Sequence, residues 1–526
     1  MKSDNKNFII AIILTMGFLL LWNVFVVNKY APSKTIDGQS VSTPNSPPPP
    51  VVTQLSNIDK PIVKSATSLQ EIALVGKNEM VTISNQGGVV TSWIYKESKN
   101  SIQLIVPKTT PLALFPELLY AIEKVSDSEV ILTAVHPGGF NVIKRLKLSS
   151  EPPFHQLSIS FNNISETPVV AKGDLTWIGG IDQHIVSEPY DEKQDSTTMM
   201  ENRAVGLATQ VRSWTIPGFF SKSSFEQTSA GPFSWVGVDN SPFLVSFIPV
   251  DSTIDNIFVQ GKKKTPTNLS IPIHANLNPK ESKTVHFQLY VGPKSFEELK
   301  KLPYHLDKSI DFGFFGLIAK LLLGTLHFFY KWTGNFGWAI IIVTLLIQFL
   351  MIPLTKKNFH HAARMKELQP QLKKLQDQFK GDPKRMQIET MNLYRKQGMK
   401  FMGMEGCLPI ILQIPVFFAF YSALRVAYEL RGAPWMLWIQ DLSKADPYYV
   451  LPILMGIGMF FQQKMSNATI DPAQAKVMMF MPIIFTFMFF AMPSGLCLYW
   501  VVNSLVTIVI QQFFKWRQSQ ISAQPA

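Results

Sequence analysis

Residues 336–354 read FGWAIIIVTLLIQFLMIPL, and none of these side chains ionises. As one helix, such a run reaches across the ~30 Å hydrocarbon layer of a bilayer. Further charge-free runs occupy 8–27, 406–424 and 447–463, and a last one fills 477–514. That last run exceeds one span, and Pro493-Ser494-Gly495 near its middle is a turn signal, so it is expected to fold back as two. The pattern predicts a polytopic α-helical membrane protein with six spans.

The run at 8–27 follows Lys2 and Lys6, as a secretory signal would. It is longer than the roughly 7–15 residues of a signal core, and Val26-Val27-Asn28-Lys29 offers no small-residue cleavage site. It is therefore expected to remain as an anchor, 1–27. Orientation follows from basic residues in short loops. Residues 356–401 carry twelve Lys or Arg against four Asp or Glu, an excess of eight out of the chain's net +12. This loop should be cytoplasmic, with both termini on the same side and the long segment between the first two spans in the periplasm. The two cysteines, Cys407 and Cys497, then begin spans in opposite leaflets, too far apart for a disulfide.

Composition changes mark further boundaries. Residues 28–60 form a Pro/Ser-rich linker ending in four prolines, an extended spacer. From 61 to 303, short β-branched runs such as Met80-Val81-Thr82-Ile83 and Phe243-Leu244-Val245-Ser246-Phe247 alternate with turn residues, which predicts an all-β sandwich. Trp93 and Trp177 within it read as core residues; on the surface they would be candidates for stacking on a sugar ring. Residues 304–333 place Lys320, His327 and Lys331 on one helical face and apolar residues over much of the rest, as in an amphipathic helix lying in the membrane interface. The helical bundle, 334–514, is interrupted by the basic loop 356–401. There Met365, Leu368, Leu372, Leu375 and Phe379 recur at steps of 3 and 4, the seam of a coiled coil. Gly381-Asp382-Pro383 then turns the chain into a second arm, so a helical hairpin is expected, kinked at Pro370. Residues 515–526 form a short cytoplasmic tail.

Catalytic signatures are missing from the sequence. Gly261-Lys262-Lys263-Lys264 lacks the spacer of a phosphate-binding loop, His360-His361 has no acidic partner at metal-ligand spacing, and Ser494-Gly495 lacks the flanking glycine of a nucleophile elbow. No enzymatic activity and no small-molecule cofactor are expected. The spans instead carry polar stripes: Thr344 and Gln348; Gln413, Phe417, Tyr421 and Arg425; Trp500, Asn503, Thr507 and Gln511. Polar groups in hydrocarbon turn toward each other or toward water. The stripes are therefore either glue between helices or the wall of a hydrated groove.

The order of Asn335-Phe336-Gly337-Trp338, Ile352-Pro353-Leu354-Thr355-Lys356, Gly406-Cys407-Leu408-Pro409, Asp446-Pro447-Tyr448-Tyr449, Phe461-Gln462-Gln463-Lys464-Met465 and Met492-Pro493-Ser494-Gly495-Leu496 resembles the successive signatures of the YidC/Oxa/Alb insertase family. The anchor and the large β segment are similar to its Gram-negative YidC branch. The resemblance implies a membrane protein insertase and chaperone, with a five-helix core and a periplasmic β-supersandwich. It implies a groove lined by Thr344, Gln348, Ile414, Phe417 and Trp500, and as partners nascent membrane proteins, the ribosome, the Sec translocon and membrane lipids. Where the family usually places a groove arginine this chain has Gln348, eight residues or ~12 Å from Lys356. Arg425, on the face of Phe417 and Tyr421, is a candidate replacement; snorkelling or pairing with Glu429 is the alternative. Ribosome contact is expected to rest on the hairpin bases Lys373, Lys374, Lys380, Lys384 and Arg385. The competing functional class is a small-molecule transporter or channel, which would carry paired charges at the midplane and inverted repeats, and neither is found.

Overall fold

A computed structural model describes residues 68–96, 101–105, 109–181, 184–185, 203–208, 210–214, 224–262, 267–379, 381–396, 408–466 and 472–522. The expected anchor and linker lie outside these residues, as do Cys407 and Lys380. The chain divides into two compact units, one ending at Ile310 and the other beginning at Asp311.

The first unit is built from antiparallel sheets. A nine-stranded sheet runs from edge to edge through Val211–Trp214, Arg203–Leu207, Trp235–Asp239, Phe243–Pro249, Ser282–Pro293, Phe154–Asn163, Phe140–Lys147, Glu129–His136 and Ala121–Ser126. A four-stranded sheet joins Ser224–Phe233, Ile254–Lys262, Asn268–Leu277 and Val169–Trp177, and a five-stranded one starts from Glu71–Val75 and Glu79–Ser84. Burial explains the strands. Phe154–Asn163 and Asn268–Leu277 bury every second residue, the signature of one face against a core. Phe243–Pro249 is buried on both faces except at its last residue, as a central strand covered on both sides must be. Trp93 and Trp177 are fully buried, their indole N–H groups donating to Glu79 Oε2 (3.1 Å) and to the Gly180 carbonyl (2.6 Å). They are core, so neither offers a surface for a sugar.

Two buried charged groups tie this unit together. Lys144, 1% exposed, donates from Nζ to the carbonyls of Gly88 (2.6 Å) and Leu112, and burial pushes its ammonium down to about 7. Asp239 receives Arg203 (2.7 Å) and Lys294 (2.5 Å). Arg203 also donates to the Ser309 carbonyl, and Trp235 Nε1 to that of Tyr304. These bonds hold the tight turn Pro303–Ser309 on the sandwich, within the compact unit that ends at Ile310.

The second unit is helical: α1 (Gly316–Thr333), α2 (Phe336–Gln378), α3 (Pro383–Lys396), α4 (Leu408–Val426), α5 (Val450–Ser466), α6 (Pro472–Phe489) and α7 (Ser494–Ser522). By length and composition alone, stretches of α2 (Phe336–Pro353) and α7 (Ser494–Arg517) are apolar enough to cross a membrane; the apolar stretches in α4 and α6 are shorter. The turn expected at Pro493-Ser494-Gly495 separates α6 from α7. Helix α1 buries Ala319, Leu322, Leu323 and Leu326, while Lys320 and Lys331 are exposed together with the apolar Leu317, Leu321 and Trp332, and His327 is half-buried.

Helix α2 continues without a break through Pro353 and Pro370 into the hairpin, so no helix end falls at Pro370. In the hairpin Leu368 is buried and Leu372, Leu375 and Phe379 are half-buried, whereas Lys373, Lys374, Lys384 and Arg385 are exposed. Their seam therefore turns inward and their charge outward.

Candidate functional site

Helices α2, α4 and α7 meet in a polar cluster. Gln348 on α2 donates from Nε2 to Oδ1 of Asn503 on α7. Gln413 on α4 donates to the same oxygen (3.3 Å) and to the Tyr499 hydroxyl (2.8 Å). Gln348 and Asn503 are 6% and 7% exposed and Tyr499 is fully buried. The residues come together because helical steps of four align them: Tyr499 and Asn503 share a face of α7, while Gln413 and Phe417 share one of α4.

One turn along from the amides the lining becomes aromatic. Trp500 lies with its ring centroid 5.0 Å from Phe417, 5.6 Å from Phe489 and 6.4 Å from Phe485. Phe420 stacks on Tyr499 at 4.2 Å. The arrangement is thus a small polar patch between helices, bordered by rings from α4, α6 and α7.

Not every residue expected at the site reaches the patch. Thr344 is buried, but its hydroxyl donates back to the Ile340 carbonyl (2.7 Å) within its own helix. Thr507 does the same toward Asn503 (2.7 Å). Ile414 is exposed and Tyr421 half-buried. Arg425 stands exposed in the last turn of α4, twelve residues or ~18 Å along the axis from Gln413. It does not bring a charge to Gln348. Glu429, one turn beyond Arg425, faces His327 Nε2 of α1 with its Oε1 at 3.5 Å. Tyr499, conversely, belongs to the cluster and was not among the expected residues; its spacing of four from Asn503 was the available signal.

The end of the bundle that holds the first turns of α2 and α7 is stitched to the segment 431–449. Asn335 caps α2 by accepting from the Gly337 (2.8 Å) and Trp338 (3.3 Å) amides, and its own amide donates to the carbonyls of Pro434 and Trp435. Gly337 is needed because a Cβ there would overlap the Trp435 ring. Buried Asp446 accepts from Trp438 Nε1 (2.9 Å) and from the amides of Tyr448 (3.0 Å) and Leu451 (2.7 Å). Ser494 and Gly495 donate to the carbonyls of Lys444 and Leu442. The sequence signatures around Asn335, Asp446 and Ser494 thus build one end of the bundle and leave the polar patch deeper within it.

Residues 328–521 match the family model described as 60Kd inner membrane protein, and residues 117–324 match the YidC periplasmic domain. A membrane protein insertase YidC of Endomicrobium trichonymphae is 36% identical over 538 residues, covering 98% of this chain and 99% of its own length. One from Geobacter metallireducens is 32% identical over 533 residues, covering 97% and 98%. Among solved structures, an active YidC insertase crystal structure with its first transmembrane domain resolved is similar at 18% identity and a TM-score of 0.38, covering 85% of this chain and 93% of that one.

Proposed function

The chain belongs to the YidC family of membrane protein insertases, and from that premise we propose that it carries incoming chains past the cluster of Gln348, Gln413, Tyr499 and Asn503. It is an insertase with a periplasmic domain and not an enzyme. In this reading it spans the inner membrane six times, with both termini and the basic hairpin in the cytoplasm and the β unit in the periplasm. The ribosome docks at the hairpin, the Sec translocon receives some of the same substrates, and lipid surrounds the bundle.

One observation supports this reading above the others: amides from three helices converge within stretches that carry no charge, 336–355, 408–424 and 494–514. A polar patch surrounded by hydrocarbon lowers the cost of bringing a hydrophilic flank into the membrane, because groups leaving water find partners there. The aromatic border formed by Phe417, Phe485, Phe489 and Trp500 then offers the apolar segment a surface on its way into lipid. Burial of that segment in hydrocarbon supplies the driving force without a nucleotide.

Photocrosslinking amino acids placed at Thr344, Phe417 and Trp500 during synthesis of a small single-span membrane protein test the path. Crosslinks from Phe417 and Trp500 are expected. Crosslinks from none of the three positions would overturn it.

A further inference from the structure

The polar cluster holds two kinds of hydrogen-bonding group and no formal charge. Each of its three amides brings one acceptor oxygen and two N–H donors, and Tyr499 adds a hydroxyl. Gln348 and Gln413 both donate to Asn503 Oδ1, and Gln413 also to Tyr499, so one acceptor serves two donors. Within the cluster the carbonyl oxygens of Gln348 and Gln413 and the amide nitrogen of Asn503 make no hydrogen bond to another member. Acceptors and donors are therefore presented together. Charged side chains on the same three helices are remote: Lys356 is eight residues from Gln348, Arg425 twelve from Gln413 and Lys515 twelve from Asn503, ~12 Å and ~18 Å of rise.

A site of this composition satisfies a group that both donates and accepts, such as a peptide bond, an Asn or Gln amide, or a Ser or Thr hydroxyl. A carboxylate or an ammonium entering it finds no counter-charge and loses its water. Resting on the path proposed above, we propose that the Gln348–Gln413–Asn503–Tyr499 cluster makes this insertase selective for uncharged polar flanks, and that it disfavours acidic and basic flanks alike. Gln348 is the member of the cluster supplied by α2, and a charged side chain in its place tests this neutrality.

The test uses the full-length protein in lipid vesicles without a membrane potential, which would otherwise drive charge by itself. Single-span substrates carry a translocated tail that is uncharged, has two Asp, or has two Lys, and protease protection reads insertion. The expected wild-type result is at least about tenfold better insertion of the uncharged tail, with acidic and basic tails within about twofold of each other. Gln348→Arg is expected to raise the acidic-to-basic ratio at least fivefold, and Gln348→Glu to lower it by a similar factor. Because each ratio is taken within one variant, reduced folding of either leaves it readable, and the opposite signs exclude a general defect. Equal insertion of acidic and uncharged tails by the wild type overturns the selectivity, as do ratios that fail to move in opposite directions. Photocrosslinks from Phe417 to all three tails in that case would leave the path standing; their absence with every tail would remove the path as well.

Discussion

The side-chain amide of Gln348 donates to Asn503 across 155 positions of sequence, fastening α2 to α7 through groups that hydrocarbon would otherwise strand. Removing one partner leaves the other buried without its bond, at a cost of ~1–3 kcal/mol. Asn503→Leu alone is therefore expected to lower the stability of the detergent-solubilised bundle by that amount. Adding Gln348→Leu should recover part of the loss, because two apolar groups can pack where two amides met. A double-mutant cycle on unfolding midpoints checks this. Strict additivity of the two changes would show that the contact carries no coupling.

At the end of the bundle near Asn335, Gly337 packs under Trp435 with no room for a side chain. Gly337→Ala has to push the indole away and strain the bonds from Asn335 to Pro434 and Trp435. The expected outcome is ~1–3 kcal/mol of destabilisation from overpacking, together with faster proteolysis within 431–449. An unchanged cleavage rate would count against a tight seal at this end.

Lys144 gives the β unit a pH dependence of definite sign. Burial lowers its ammonium from 10.5 to about 7, so between these values the unfolded chain binds the additional proton. Stability from this group is full above 10.5 and is lost as the pH falls through about 7. The protection of amides in Phe140–Lys147 against exchange, corrected for intrinsic rates, should thus rise from pH 7 to pH 10 in the intact protein. Lys144→Met should flatten the rise, while also freeing the Gly88 and Leu112 carbonyls.

The exposed bases of the hairpin make a separate expectation about partners. If Lys373, Lys374, Lys384 and Arg385 meet ribosomal phosphates, co-sedimentation with ribosomes should weaken steeply with salt. Replacing all four by Gln should reduce both the binding and its salt slope. Binding that keeps its slope would leave the hairpin charge to topology alone.

Much of this was readable from residue order. Helix spacing placed Gln413 near Phe417 and put Asn503 on an inward face, and charge-free runs located α2, α4, α5, α6 and α7. Alternation located the strands, and Trp93 and Trp177 within them read as core. What spacing could not provide was the depth at which helices meet. Arg425 shares a face with Gln413, yet a rise of ~18 Å separates them, so a shared stripe did not become a shared site. Tyr499 is harder to read, because an aromatic residue in an apolar run resembles packing until its hydroxyl is seen to meet Gln413. Pro303–Ser309 joined the sandwich through carbonyls held by Arg203 and Trp235, bonds to backbone atoms that side-chain patterns do not reveal.

The amides could serve only as glue between helices, and a single variant separates that role from a part in insertion. Replacing Gln348, Gln413 and Asn503 by Leu and Tyr499 by Phe removes every partner of the cluster together, a change that leaves few buried groups unsatisfied and is expected to keep the bundle folded. Insertion of a single-span protein with an uncharged tail into vesicles holding this variant should fall at least about tenfold while its unfolding midpoint stays close to that of the wild type. Insertion at the wild-type rate by the folded variant would contradict the account.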